Sequence, residues 1–263
     1  MSKKNCLNIL LITACMQACL MTNFVQSQEN AKIKLNRNNE QVEFFAYFIL
    51  GMNKLGISAI NDNLEQKEYS TYSPNFISMG GGSHIGTPYF LIGGEGYGFF
   101  SKQKSQNIGG LYRTSLDAGY GFFNIGRILY LKKRLKICPF LGLGGGTIKL
   151  KINEYESPSS FGEVLTNPKL YSELTLGGVL VDLSLRFEIL FPFSKPIKNS
   201  DEDNSLDAGY YPIGIRVGYV LAPFDDNWEV DNVELPVGPV IGMLGPYIRI
   251  SFGLGVVNYS QNK

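Results

Sequence analysis

The stretch Tyr247–Val257, "YIRISFGLGVV", alternates without a break: Ile248, Ile250, Phe252, Leu254 and Val256 on one phase, Tyr247, Arg249, Ser251, Gly253 and Gly255 on the other. Successive side chains of a strand point to opposite faces, so period-two alternation specifies a sheet with chemically distinct sides. "IGIRVGYVL" repeats it, with Ile213, Ile215, Val217, Tyr219 and Leu221 against Gly214, Arg216, Gly218 and Val220. "LYRTSLDAGYGF" does so again, with Tyr112, Leu116, Ala118, Tyr120 and Phe122 against Arg113, Ser115, Asp117, Gly119 and Gly121. One face is apolar and aromatic, and the other is glycine, serine and isolated charge.

A soluble sandwich turns the apolar face inward and covers its outside with charge. A transmembrane barrel turns the apolar face to lipid and fills its lumen with the polar one. Small residues with scattered charges suit a crowded lumen better than a solvated surface, and only 18% of the chain is charged. The candidate strands, 42–51, 74–84, 88–101, 108–124, 135–152, 172–190, 208–222 and 245–258, include several long enough to cross a bilayer at a tilt, which takes roughly 9–11 residues. Long polar connections (52–73, 153–171, 223–244) alternate with short ones such as Ile85–Pro88, although 102–107 and 191–207 fit that rhythm less well. The expectation is an all-β, eight-stranded, antiparallel up-and-down transmembrane β-barrel over 42–263, with both termini at the short-turn end.

The N-terminus reads as an export signal. Lys3 and Lys4 precede the mostly apolar stretch Cys6–Leu20, and Val25 and Ser27 supply small residues before a cut after Ser27. This makes 1–27 a cleaved signal peptide and 28–41 a polar leader; "ITAC" offers the rival of lipoprotein processing at Cys15. Cys6, Cys15 and Cys19 lie in the signal, so the mature chain keeps only Cys138 and has no internal disulfide. A formal net charge of +1 gives no basic excess for nucleic acid.

Glycine clusters raise a second reading. "FLGLGGGTIKLKI", Phe140–Ile152, has Thr147 where a dinucleotide fingerprint needs glycine, and alternation follows where a helix would have to begin. "GGEGYG", Gly93–Gly98, fails likewise. Neither is a phosphate loop. Leu141 and Leu143 fall on one phase, Ile148, Leu150 and Ile152 on the other, so a β-bulge is expected at Gly144, Gly145 and Gly146 that lets all five meet lipid. The same slip is expected at Gly177 and Gly178, between Leu174/Leu176 and Val179/Val181.

The inward phase gives an expected set of lumen ion pairs: Arg113, Arg186, Arg216 and Arg249 against Glu95, Asp117, Asp182 and Glu188. An eight-stranded barrel is just wide enough for side chains to fill, so these charges are expected to pair and plug it rather than line a conduit. His84, the only histidine, adjoins Ser83, but neighbouring strand residues face opposite ways, so no Ser-His nucleophile is expected and His84 reads as a turn residue. Asp225–Asn232, "DDNWEVDN", lacks the spacing of a calcium loop; Trp228 there is expected as an exposed contact residue or interfacial anchor.

"IGGEGYGFF", "LDAGYGFF", "CPFLGLGGG" and "GPYIRISFGLGVV" together resemble the small outer-membrane β-barrels of Gram-negative-type bacteria, the OmpA-, OmpX- and OmpW-like group, over 42–258. That resemblance implies a bacterial outer-membrane location, the lipid bilayer and the barrel-assembly machinery as partners, and an extracellular ligand or surface partner at the long loops. No catalytic residue, metal or cofactor carries over. Such barrels commonly end in an aromatic residue; this chain ends "NYSQNK", with Tyr259 nearest. The expected function is structural or surface-interactive, without enzymatic activity. Two alternatives stand beside it, a narrow porin-like channel for small solutes and a soluble periplasmic barrel that binds an apolar ligand.

Overall fold

The structure is a computed structural model that describes residues 39–101, 104–107, 111–132, 134–154, 171–194, 197–198, 205–225, 227–230, 233–235, 238–239 and 243–261. The chain divides into Gln41–Ser260, which holds the barrel, and a second unit, Met1–Glu40 with Gln261–Lys263. The expected signal segment 1–27 and most of the leader lie outside the described residues.

Eight long strands form the barrel: β1 (Asn39–Lys54), β2 (Asn75–Gly86), β3 (Phe90–Phe100), β4 (Leu111–Arg127), β5 (Leu135–Glu154), β6 (Tyr171–Pro192), β7 (Ser205–Asp225) and β8 (Gly245–Gln261). Each pairs with the next in sequence and β8 pairs with β1, so the sheet closes with no free long edge. The paired registers are antiparallel, for example Glu43↔Gly86 to Lys54↔Asn75 between β1 and β2. The links 87–89, 128–134 and 193–204, short on average, share one end with both strand termini; the links 55–74, 101–110, 155–170 and 226–244, longer on average, share the other.

The outward positions are apolar over much of every strand's length. Phe44, Phe48 and Leu50 on β1, Leu141 and Leu143 on β5, Ile213, Ile215 and Val217 on β7, and Ile248, Ile250 and Phe252 on β8 are all exposed. Aromatics including Tyr89, Phe90, Tyr130, Phe193 and Tyr211 lie outward toward the short-link end. A contiguous apolar girdle of this extent has no place on a water-soluble monomer. It excludes the soluble-barrel alternative.

On one side the girdle is bare. Gly81, Gly96, Gly121 and Gly145 sit opposite one another in a single row across β2, β3, β4 and β5. All four face outward, where a side chain at Gly96 or Gly121 would meet nothing nearer than a carbonyl at 3.7 or 4.0 Å. The inward glycines differ. A Cβ at Gly146 would strike Tyr120 at 2.6 Å and Leu180 at 2.7 Å, so the lumen requires glycine there to seat its own large residues.

The expected bulges are absent. β4 and β5 pair without a shift from Tyr112↔Glu154 to Gly126↔Phe140. β5 and β6 pair continuously from Leu135↔Ile189 to Asn153↔Tyr171, straight through Gly144, Gly145, Gly146, Gly177 and Gly178. The chemistry changes along an unbroken strand. Within the girdle the outward face is apolar; nearer the long links, Ile148, Leu150 and Leu176 turn inward and are buried while Lys149, Lys151 and Glu173 turn outward. The same pleat meets lipid at one height and water at another, so its apolar side changes over. A register shift does occur elsewhere, where Leu221 pairs Val181 but Phe224 pairs Val179, so that Ala222 and Pro223 together oppose Leu180, one residue in excess.

The link 55–74 folds back over the barrel mouth. Its helix α1 (Ser58–Gln66) buries Ile60 and Leu64 on one face. It ends in a Schellman motif: Tyr69 N–H donates to Leu64 O at 2.8 Å and Glu68 N–H to Glu65 O at 2.9 Å. Glu68 occupies the left-handed position, at φ 65°, where glycine is usual.

Candidate functional site: the lumen and its two closures

The lumen charges fall into two clusters. Nearer the short links, Lys136 Nζ of β5 lies 2.5 Å from Glu43 Oε2 of β1 and 3.7 Å from Glu188 Oε1 of β6. Tyr47 donates to Glu188 at 2.8 Å, and the Arg186 guanidinium lies 4.4 Å from the Tyr47 ring centre and 3.7 Å from Glu188 Oε2. His84 packs among them, 3.5 Å from Glu43 Oε1, 3.3 Å from Arg186 and 3.3 Å from the Tyr47 hydroxyl. It is a buried strand residue rather than the turn residue expected, while Ser83 beside it is exposed outside.

The second cluster is centred on Arg216 of β7. Its guanidinium is ion-paired to both Glu95 and Asp182, and it donates to Ser184 at 2.7 Å and to Asn124 at 3.3 Å. Asn124 donates to Glu95 at 2.5 Å, and Tyr247 to Asp182 at 2.7 Å. Arg249 has neither ion pair nor hydrogen bond among the described residues; it lies between the rings of Tyr97 and Tyr247, 3.7 and 3.6 Å from their centres.

Register explains this arrangement. Arg186, Arg216 and Arg249 stand directly opposite one another on β6, β7 and β8. Like charges facing across strands are destabilising, so each arginine has its own compensation: Tyr47 and Glu188, Glu95 and Asp182, and a pair of aromatic faces. In number, the carboxylates Glu43, Glu95, Asp182 and Glu188 equal the cations Lys136, Arg186, Arg216 and Arg249.

Of the expected lumen set, Glu95, Asp182, Arg186, Glu188, Arg216 and Arg249 line the lumen. Arg113 and Asp117 do not. Thr114 and Leu116 are the buried neighbours, so Arg113 and Asp117 sit on the outward phase of β4, beyond the girdle. Asp117 is 3.7 Å from Lys151, and Glu173 is 2.6 Å from Lys149. Sequence reasoning missed Glu43 and Lys136; each stands between two outward apolar residues, Val42 and Phe44, and Leu135 and Ile137, and that flanking was the available signal.

Beyond the Arg216 cluster the lumen is closed a second time, by apolar side chains. Phe99, Leu116, Tyr120, Ile148, Leu180 and Val220 pack under α1. Tyr120 donates to Met243 O at 2.8 Å, Tyr72 to Thr114 at 2.8 Å, and Asn61 brackets the Tyr72 backbone with two bonds of 2.8 Å. Trp228 belongs to this closure. It is buried rather than exposed, and its indole N–H donates to Pro239 O at 2.9 Å. Part of Asp225–Asn232 lies outside the described residues; Glu229 and Val230 pair as a short strand with Thr175 and Leu174 of β6.

The free space within the ionic region is small. A cavity of about 10 Å³ is lined by Tyr47, His84, Glu95, Asn124 and Arg186, and the space between Glu95, Arg216 and Arg249 holds no water-sized volume.

A closed antiparallel β-barrel with an apolar girdle and a polar lumen defines the class: the protein is a transmembrane β-barrel of the outer-membrane type. No protein-family profile matches the sequence, and no curated protein matches it. Among solved structures, the chain is similar to Ail, the attachment invasion locus protein of Yersinia pestis, in complex with the heparin analogue sucrose octasulfate, at 10% identity and a TM-score of 0.34, over 84% of this chain and 99% of that one. It is also similar to the outer membrane protease OmpT of Escherichia coli, at 9% identity and a TM-score of 0.28, over 84% and 96% of the two chains. Strand order and girdle, not these likenesses, define the class.

Proposed function

We propose that the protein is a non-conducting, non-enzymatic barrel of the bacterial outer membrane that presents its long-link end to the cell's surroundings for contact with an external partner. The double closure of the lumen carries this reading: an ionic plug whose charges cancel, then an apolar plug beneath α1. A solute would have to break both. The first costs paired buried charges and the second costs a packed core, so the porin-like alternative has no support in the geometry.

The long-link end is built as a platform. Strands β4, β5 and β6 continue past the girdle with an apolar interior and a charged exterior, the arrangement of a water-exposed sheet. Links 55–74, 155–170 and 226–244 belong to this end and would carry the partner contacts; 155–170 and part of 226–244 lie outside the described residues. Export through cleavage after Ser27 and insertion by the barrel-assembly machinery complete the reading.

Purified protein in planar bilayers tests it. The expected result is no unitary conductance; stable unitary currents overturn the plugged reading. Cell fractionation with heat-modifiable gel mobility tests location and closure together, and a protein recovered in the soluble periplasm would sink the assignment.

A further inference from the structure

We propose that one water molecule occupies the cavity between the two ionic clusters and joins them into a single lumen network. The cavity lies where the clusters face each other: Tyr47, His84 and Arg186 come from one, Glu95 and Asn124 from the other. Its volume of about 10 Å³ reaches the lower bound of the roughly 10–15 Å³ that a buried water needs, and such a water takes two to four polar partners. The polar groups of Tyr47, His84, Glu95, Asn124 and Arg186 in the lining can supply these partners.

Arg186 supplies an independent reason. It is 4% exposed, and its Nε has no hydrogen-bond partner among the described residues. A buried donor without an acceptor is costly, and such groups are normally met by protein or by ordered water. A water accepting from Arg186 can donate onward toward the Glu95 carboxylate, which already accepts from Asn124 at 2.5 Å. The link would span β2, β3, β4 and β6, where no direct hydrogen bond joins the clusters among the described residues.

An ion is the poorer occupant. Glu43, Glu95, Asp182 and Glu188 already balance Lys136, Arg186, Arg216 and Arg249, so a bound ion would add an uncompensated buried charge. An apolar occupant is excluded by size and by the polar lining. Ile49 and Phe140 form the apolar part of the wall and direct the water's bonds toward the charged side.

Water–protein NOE measurements on the full mature chain in perdeuterated micelles test the proposal. The expected result is a cross-peak of long-lived water to the Ile49 methyl groups. It should persist in Tyr47→Phe, which removes the exchangeable hydroxyl that would otherwise relay the signal, and vanish in Asn124→Leu, which replaces a polar lining group by an apolar one. No cross-peak in the wild type overturns the proposal. So does its loss in Tyr47→Phe, or its full retention in a folded Asn124→Leu. If Asn124→Leu fails to fold by heat-modifiable mobility, the wild type and Tyr47→Phe decide the matter alone.

Discussion

Lys136 and Glu43 meet at 2.5 Å inside the lumen with side chains 1% and 2% exposed, joining β5 to β1 across the barrel interior. An ion pair this deep is held by what its removal would strand. Glu43→Gln or Lys136→Met alone leaves a buried charge unmatched and is expected to cost about 3–5 kcal/mol, whereas the double variant should cost less than the two singles combined. Urea unfolding in lipid vesicles measures all three, and additive losses would show that the pair does not interact.

Arg216 and Arg249 stand opposite each other but are held differently. Arg216 has two carboxylates and two further acceptors, so Arg216→Met strands both Glu95 and Asp182. Arg249 makes no hydrogen bond among the described residues, and Arg249→Met gives up mainly its contacts with Tyr97 and Tyr247, on the order of 1–2 kcal/mol. Unfolding midpoints should therefore fall much further for Arg216→Met; equal falls would contradict the assigned compensation.

Unbroken pairing through Gly144–Gly146 makes a prediction about accessibility. Cys138 is buried, so in protein with Cys6, Cys15 and Cys19 replaced by serine, single cysteines can be introduced without an accessible background thiol. Lys149→Cys on folded protein in vesicles should react with a bulky, membrane-impermeant maleimide applied from the long-link side, and Ile148→Cys should not. The reverse result would restore the bulge. Ile148→Ala should separately cost about 2–5 kcal/mol, as for a large-to-small change in a packed core.

Glu68→Gly should stabilise the barrel mouth. The left-handed conformation costs a non-glycine residue roughly 1–2 kcal/mol, partly offset by glycine's greater freedom when unfolded. The net gain expected is about 0.5–1 kcal/mol, visible as slower amide exchange across α1. Faster exchange would mean that the Glu68 side chain makes a contact worth more than the strain.

Glu173 lies beyond the girdle, and hydrogen bonds from Lys149 at 2.6 Å and Tyr171 at 2.5 Å hold its carboxyl below the usual glutamate range. Its folded value is the lower one, so its stabilisation is present above about pH 4.3 and is lost as pH falls through the folded value. The effect is small at this exposure. A side-chain carbon titration should show the Glu173 midpoint rising in Lys149→Ala; an unmoved midpoint would rule out Lys149 as the cause.

Much of the barrel was legible in the sequence. The expected strands coincide with the observed ones to within a few residues, and the faces of β7 and β8 are as the alternation of Ile213–Leu221 and Ile248–Val256 specifies. What misled was the premise that one phase keeps one environment. Arg113, Asp117 and the Ile148–Leu150 pair lie where the strands leave the girdle, and there burial reverses the meaning of the pattern. Local alternation reports two faces but not which solvent each meets. The contribution of Tyr97, Asn124 and Tyr247 to the arginines was illegible for another reason: it depends on which strand lies opposite, and register is a property of the closed sheet.

The row Gly81, Gly96, Gly121, Gly145 gives the barrel an uneven outline. Where Phe48 or Phe252 projects, hydrocarbon is held off by the depth of a ring; across the glycine row it comes down to the peptide planes. Seen from the bilayer, the cylinder therefore has a planed-down side. Neighbouring acyl chains pack against an object with a distinct azimuth, one whose rotation about its own axis changes what the surrounding lipid feels.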